Sequence, residues 1–311
     1  MVTPSKADMQ ALRESLPALG AGQFPSEELL SWWRFYGFDC VGSVAAITYH
    51  CGTVESGAYT LAVHRWLQAD ARANLVLVHG YTDHSGLFRH LIEYGLRSNF
   101  NVVIFDLPGH GLSTGEPAAI DSFSAYGVAI NDVLQAANLP QFNTSVMAQS
   151  TGCSAVIEFA RCYAWPFERT VFLAPLLRPL GWRWVRVAHG LANRFVNTIA
   201  RNFKHNSSDP TFLEFIKNDP LQPKRLPLIW VAALKEWLAT LPLQDLGIGP
   251  VLVLQGDRDT TVDWRYNIAH IGDLFPGSRI ELLAGAGHQL ANEALSQRER
   301  YLAIVDKYLD S

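Results

Sequence analysis

The sequence is poor in charged residues. Charged residues make up 17% of its 311 residues, whereas hydrophobic residues make up 49%. A typical soluble chain carries about 25% charged residues, so this composition excludes an intrinsically disordered protein. The 25 Lys and Arg and 29 Asp and Glu give a net charge of −4. That charge offers no general attraction for nucleic acid, and we expect no nucleic-acid partner.

The sequence also shows no cysteine motif, and we expect neither a signal peptide nor a membrane span. No C-x-x-C pair or metal-ligand spacing occurs among the four cysteines, Cys40, Cys51, Cys153 and Cys162, so we expect reduced core thiols and no metal site. Charged and polar residues follow Met1 where a signal peptide has an apolar stretch. The longest apolar-rich stretch, 226–243, is interrupted by Lys235 and Glu236, which argues against a membrane span. The sequence predicts a cytoplasmic protein.

The chain alternates between short apolar runs and helix-length segments. Residues 1–40 look helical, and 44–67 predict a hairpin that turns at 55–57. Six apolar runs follow, at 75–78, 102–105, 145–148, 171–174, 251–254 and 279–283. Such runs are typical of strands buried on both faces of a parallel sheet, and the intervening helices fit right-handed crossovers.

Four segments are therefore predicted. Residues 1–57 form an N-terminal helical segment with the first strand, and residues 58–175 form the first part of an α/β core. Residues 176–249 contain several helical patterns and are too long for an unstructured loop, so we predict an inserted helical cap. Residues 250–311 complete the core.

Polar motifs follow the predicted strands, where ligands bind in open parallel sheets. A G-x-S-x-G pattern at 111–115 contains Ser113, but this serine follows a Pro-Gly-His-Gly loop and lacks the strand and helix that a nucleophile elbow needs. Ser150 has that context, with a strand before it and a helix after it, although Ala148 replaces the first glycine of the motif. We predict Ser150 as the nucleophile.

A serine hydroxyl needs an adjacent base. His288 follows the last predicted strand, in a glycine-rich loop. Asp257 and Asp259 both follow the preceding strand and compete as the orienting acid; we choose Asp259 because it lies further round the turn. The order Ser150, Asp259, His288 is the one expected of α/β-hydrolases. The backbone N–H groups of Thr151 and Tyr81 are the predicted oxyanion donors.

These residues resemble the α/β-hydrolase superfamily, and within it the monoacylglycerol lipase and lysophospholipase-like group. The resemblance rests on the motifs at 79–88 and 106–115, the elbow, and the loops of Asp259 and His288. It covers residues 58–175 and 250–308. It implies an α/β-hydrolase fold, with a mostly parallel sheet between helices, and a triad of Ser150, Asp259 and His288 with Tyr81 and Thr151 as oxyanion donors.

The predicted cap bears on the substrate. Its tryptophans predict an apolar pocket formed by Trp182, Trp184 and Trp230, with His84 at the mouth; the alternative is that they pack the cap onto the sheet and that His84 only fixes its loop. Residues 176–225 carry nine Lys or Arg and three acids. That charge suggests contact with an anionic lipid surface, the alternative being a solvated helical face.

Together these features predict a serine hydrolase that cleaves carboxylic esters of monoacylglycerol or lysophospholipid type, without a cofactor. A thioesterase or a carbon–carbon bond hydrolase with the same triad is the enzymatic alternative. A non-catalytic lipid-binding protein is the alternative from another class, because fold alone does not establish activity.

Overall fold

A computed structural model describes residues 3–20, 26–38, 47–192, 196–202, 206–242 and 244–310. Cys40 and the predicted strand residues 44–46 lie outside these ranges. The N-terminal part contains helices α1 (Lys6–Ser15) and α2 (Glu27–Tyr36) and strands β1 (Ile47–Ser56) and β2 (Tyr59–Gln68). The two strands pair antiparallel from Ile47 opposite Gln68 to Ser56 opposite Tyr59, which confirms the predicted hairpin.

The six apolar runs all form strands. They are β3 (Ala73–Val78), β4 (Phe100–Phe105), β5 (Thr144–Gln149), β6 (Phe167–Leu173), β9 (Leu252–Gly256) and β10 (Arg279–Leu283). Together with the hairpin they form an eight-stranded sheet in the order β1-β2-β4-β3-β5-β6-β9-β10. The six strands from β4 to β10 run parallel, and β2 pairs antiparallel with β4. The predicted, mostly parallel α/β fold is confirmed.

Helices cover both faces of this sheet. One face carries α4 (Ser124–Ala136), α5 (Thr151–Cys162), α8 (Leu228–Thr240) and α9 (Trp264–Leu274). The other carries α1, α2, α3 (Arg89–Arg97), α7 (Pro210–Asn218) and α10 (Leu295–Leu309). The strand run 75–78 is fully buried because its residues face both helical layers in turn.

Residues 176–249, here called the inserted segment, lie between β6 and β9. They contain α6 (Trp182–Ala192), a two-stranded antiparallel sheet of β7 (Thr198–Ala200) and β8 (Arg225–Pro227), and helices α7 and α8. The helical content matches the prediction, whereas the small sheet was not foreseen because each of its strands has only three residues. Within the described ranges, no helix is long and apolar enough to cross a membrane.

Candidate active site

Ser150 lies in a strained turn between β5 and α5. Its φ of 52° and ψ of −116° are uncommon for a residue with a side chain. The turn is held by the Ser150 N–H, which donates to the Leu173 carbonyl at 2.9 Å, and by the Ser150 carbonyl, which accepts from Cys153 N at 3.0 Å. This geometry places the hydroxyl at the carboxyl edge of the sheet, as the elbow context predicts.

Close packing under the turn explains its small residues. A Cβ on Gly152 would lie 2.4 Å from the Val78 carbonyl oxygen and 2.7 Å from that of His79, so no larger residue fits. Ala148 is fully buried in β5, and its methyl group is accommodated where many elbows have glycine. The departure from the motif therefore leaves the turn intact.

His288 bridges the serine and an aspartate. Its Nε2 lies 2.9 Å from Ser150 Oγ and its Nδ1 lies 2.7 Å from Asp259 Oδ2. Ser150, Asp259 and His288 are all at most 6% exposed. The three residues come from three separate strand ends, and the structure brings them into one hydrogen-bonded line.

The two competing aspartates have different contacts. Asp259 Oδ1 accepts from Thr261 N at 2.7 Å and Val262 N at 3.1 Å, which leaves Oδ2 directed at His288. Asp257 Oδ1 instead accepts from Gly285 N at 2.8 Å and holds the loop that carries His288. The geometry favours Asp259 as the partner of the imidazole.

The pairing of His288 with Asp259 shifts the pKa of both groups. Burial alone would lower the pKa of His288, because it disfavours the charged imidazolium. The nearby Asp259 carboxylate outweighs that effect and raises the pKa of His288 above its ordinary value. Burial likewise disfavours the Asp259 carboxylate, yet His288 and the Thr261 N–H hold the pKa of Asp259 below its ordinary value. An aspartate that stays ionised fixes the imidazole tautomer.

Ser113, the serine of the G-x-S-x-G pattern, makes its hydrogen bonds with the β2 strand and with the loop after β4. Its hydroxyl donates to the Asp106 carbonyl at 2.5 Å and accepts from Ala62 N at 2.9 Å. It therefore ties the loop after β4 to β2. The structure places Ser150, not Ser113, beside His288.

Of the two predicted oxyanion donors, Thr151 follows the serine in the chain and Tyr81 lies on a loop that passes close to it. Thr151 is the first residue of α5, so its N–H is one of the amides that have no partner within the helix. The loop that carries Tyr81 approaches from β3: a Cβ on Gly80 would lie 3.2 Å from Ser150 Cβ. The Tyr81 ring is fixed by its hydroxyl, which donates to the Ala118 carbonyl at 2.9 Å, and by stacking on Trp230 at 4.0 Å between centroids.

Three buried polar residues that the sequence analysis missed connect the loops of the site. Gln149 Nε2 donates to Gln289 Oε1 at 2.7 Å, and Gln289 Nε2 donates to Asp83 Oδ1 at 3.0 Å. Gln149 and Gln289 each adjoin a predicted catalytic residue in sequence, a position that could have marked them. Their pairing with each other could not be seen, because 140 positions separate them.

His84 belongs to a second buried network. Its Nδ1 accepts from Gly86 N at 3.2 Å, and its Nε2 donates to Asp219 Oδ2 at 2.8 Å. Asp219, which follows α7, also accepts from the Tyr36 hydroxyl at 2.7 Å. Burial lowers the pKa of His84, but the Asp219 carboxylate reverses that and raises it overall. His84 therefore joins the loop of Tyr81 to α2 and to the inserted segment, the loop-fixing role that was its alternative.

The structure does not bring the predicted pocket tryptophans together. Trp230 is 6% exposed and packs on Tyr81, Trp182 is half-buried against the core, and Trp184 is 79% exposed. A cavity of about 740 Å³ lies nearby, between the inserted segment and the 116–119 loop, and neither His84 nor these tryptophans line it. Within the described residues, no group of three or more His, Cys, Asp or Glu is placed to hold a metal ion.

Comparison with known proteins assigns a family. The family model described as serine aminopeptidase, S33 (Hydrolase_4) matches residues 69–294. The resemblance to α/β-hydrolases of the monoacylglycerol lipase and lysophospholipase-like group is confirmed.

Three relatives and one solved structure illustrate the similarity. The phospholipase YtpA of Bacillus subtilis is 26% identical over 201 residues, covering 61% of this chain and 77% of its own. The pimeloyl-[acyl-carrier protein] methyl ester esterase of Xylella fastidiosa strain M23 is 28% identical over 257 residues, covering 74% and 95%. The monoacylglycerol lipase of Mycolicibacterium smegmatis is 26% identical over 208 residues, covering 62% and 72%. A soluble variant of the monoglyceride lipase of Saccharomyces cerevisiae has the same fold, with a TM-score of 0.72, 17% identity, and coverage of 86% and 96%.

Proposed function

The chain belongs to the serine aminopeptidase S33 family of serine-hydrolase-type esterases and lipases, and we propose that it cleaves monoacylglycerol or lysophospholipid esters through Ser150, His288 and Asp259. The single observation that carries this proposal is the hydrogen-bonded line from Ser150 Oγ through His288 to Asp259. Phospholipase and monoacylglycerol lipase relatives support the substrate class.

The cycle follows from the positions of these groups. His288 Nε2 takes the proton of Ser150 as the serine oxygen attacks the ester carbonyl, and the N–H groups of Tyr81 and Thr151 stabilise the oxyanion. His288 then protonates the leaving alcohol, which leaves an acyl-enzyme on Ser150. A water deprotonated by His288 attacks that ester, and His288 then returns the proton to Ser150 Oγ as the acid leaves, while Asp259 keeps the imidazole oriented.

The cavity beside the inserted segment supports an amphiphilic substrate. Its wall is largely apolar, with contributions from Val196, Leu228, Ile229 and Ala232. Lys6, Lys224 and Arg225 also line it, against the single acid Glu116. Ala119 on its rim adjoins Ala118, the acceptor of the Tyr81 hydroxyl. None of Ser150, Asp259 and His288 lines this cavity, and its link to the site is the Ala118 carbonyl, which accepts from the Tyr81 hydroxyl.

The surface of the inserted segment supports contact with an anionic lipid surface. Of the ten large apolar side chains exposed in the described residues, six lie in this segment: Leu180, Trp184, Val187, Val196, Ile199 and Ile229. Arg183 and Arg186 are exposed on the same helix, α6, as Trp184 and Val187. Exposed apolar residues flanked by arginines are typical of helices that lie in a lipid interface.

A substrate panel tests the enzymatic proposal. We expect wild-type protein to hydrolyse monoacylglycerol and lysophospholipid, and Ser150→Ala to be inactive while Ser113→Ala stays active. Preferential turnover of acyl-CoA would favour the thioesterase alternative. Wild-type protein that binds lipid and turns over none of these esters would favour the lipid-binding alternative.

Vesicle flotation tests the surface proposal. We expect binding to vesicles with anionic lipid that weakens with salt and is reduced in Trp184→Ala. Phe142→Ala is the matched control, because Phe142 is also an exposed aromatic residue, 46% exposed, but lies before β5. Binding that ignores anionic lipid and salt, or that responds equally to both variants, would contradict it.

A further inference from the structure

A second cavity of about 380 Å³ lies where α2, α3 and α7 meet. Its wall includes Arg34, Phe35, Arg89, Phe212, Phe215 and Asn292, and it contains none of Ser150, Asp259 and His288. Its size falls in the range of about 300–1,000 Å³ that is usual for small-molecule sites. It is therefore a separate space, with room for a ligand of its own.

One half of the wall is aromatic. Phe215 of α7 packs on Phe35 at 5.1 Å between ring centroids and on Tyr36 at 5.9 Å. These contacts join the inserted segment to α2, and all three rings line the cavity. Such a wall suits an apolar chain or ring.

The other half of the wall offers hydrogen-bond donors. Arg89 reaches the Gly37 carbonyl and His90 Nε2 only at 3.4 Å, which is long for a hydrogen bond. The described residues show no carboxylate paired with Arg89. A Cβ on Gly37 would lie 2.2 Å from Arg89 Nη1, so glycine at this position makes room for the guanidinium. Arg34 adds a second guanidinium at the exposed rim.

Asn292 also lines the cavity and is 5% exposed. Its Nδ2 has almost no accessible surface and no hydrogen-bond partner among the described residues, so this amide lies behind the wall. A void left by imperfect packing would be lined by apolar atoms, whereas two arginines line this one.

The charged groups around the cavity determine whether an anion or a cation is favoured as the ligand. Among the described residues Asp209 is the one acid on the wall of this cavity, and its Oδ1 accepts from Thr211 N at 2.8 Å and Phe212 N at 3.3 Å. Burial and the nearby Arg298 and Arg89 lower the pKa of His90 to about 3, so His90 is neutral at pH 7. Arg34 and Arg89 therefore outnumber the one carboxylate, and the net positive charge of the described wall favours an anion.

We propose that this cavity is a second ligand site, which binds an amphiphile whose carboxylate or phosphate contacts Arg89 and Arg34 while its apolar body lies on Phe35, Phe212 and Phe215. The two head groups share the chemistry of an anion with several acceptor oxygens, and guanidinium groups pair well with both. The inference concerns binding alone and does not depend on turnover at Ser150.

Titration of the full chain carrying Ser150→Ala tests the site, with decanoate, decyl phosphate and decanol as probes. We expect both anions to bind and decanol to bind at least about tenfold more weakly, as the loss of a charge-assisted hydrogen bond requires. Arg89→Gln and the exposed Arg34→Gln should each weaken the anions, Arg89→Gln by about tenfold. Preference for one anion identifies the head group.

Arg97→Gln is the matched control, because Arg97 is also on α3 but pairs with Glu93 at 2.6 Å and does not line the cavity. A decanoate analogue with a photoreactive chain should label peptides from 26–38 and 206–219. Equal affinity for decanol, equal affinity in Arg34→Gln and Arg97→Gln, or labelling confined to other peptides would overturn the proposal.

Discussion

Replacement of Asp259 by asparagine tests the orientation of His288. In the native site Asp259 Oδ1 accepts from two backbone N–H groups, Thr261 N and Val262 N, and Oδ2 faces His288 Nδ1 at 2.7 Å. An asparagine satisfies the two N–H groups only if its oxygen stays with them. Its NH₂ group then faces His288 Nδ1 and donates to it.

That donation reverses the imidazole tautomer. The ring proton moves to Nε2, the atom 2.9 Å from Ser150 Oγ, and a protonated Nε2 cannot accept the serine proton. The same change in a serine protease lowers kcat by about 10⁴-fold, which corresponds to about 5.5 kcal/mol in the activation free energy. We expect a loss of that order in Asp259→Asn.

Asp257→Asn is the matched control. Its side-chain oxygen can still accept from Gly285 N, so we expect kcat within a few-fold of wild type. The assay is kcat for a p-nitrophenyl ester at pH 8, with thermal unfolding to confirm that both variants fold. Activity of Asp259→Asn within tenfold of wild type, or an equal loss in Asp257→Asn, would refute the reasoning.

The ionisation of His288, the packing under the elbow and the Tyr36–Asp219 hydrogen bond can each be tested separately. His288 must be neutral to act as a base, and its pKa is raised above 6.5. We therefore expect kcat/KM to fall as the pH drops through a value above 6.5. A pH–rate profile that falls only below pH 6 would contradict this. Gly152→Ala should lower the free energy of unfolding by about 3 kcal/mol or more, because its Cβ would lie 2.4 Å from a backbone oxygen. Ala148→Gly should keep the fold, and equal unfolding temperatures in the two variants would contradict this. Tyr36→Phe removes a buried hydrogen bond of 2.7 Å to Asp219 and should lower the free energy of unfolding by about 1–3 kcal/mol. An unchanged free energy of unfolding in urea would contradict this.

The sequence predicted the sheet and the line of catalytic candidates because each signal is local. A buried parallel strand is a continuous apolar run, and a nucleophile elbow is a strand, a small-residue turn and a helix. Ser150, Asp259 and His288 could be chosen from their positions after such strands, and the structure places Ser150 and Asp259 each within hydrogen-bonding distance of His288. Ser113 was set aside because its flanking residues form a loop.

The contacts that support the site could not be predicted because they join distant segments. Asp83 meets Gln289 across 206 positions, and His84 meets Asp219 across 135. Nothing in the local pattern distinguishes Asp219 from any acid that follows a helix. The tryptophans show the opposite problem: Trp184 and Trp230 have the same residue type, but one is 79% exposed and the other 6%. Their burial depends on how the inserted segment packs, which residue type does not encode.

The central claim is that His288 activates Ser150. Fluorophosphonate labelling of the wild-type chain, with mass spectrometry of the modified peptide, tests it directly. We expect a single modified residue, Ser150, and no labelling in Ser150→Ala. Labelling at Ser113, or none in a folded wild-type chain, would contradict it.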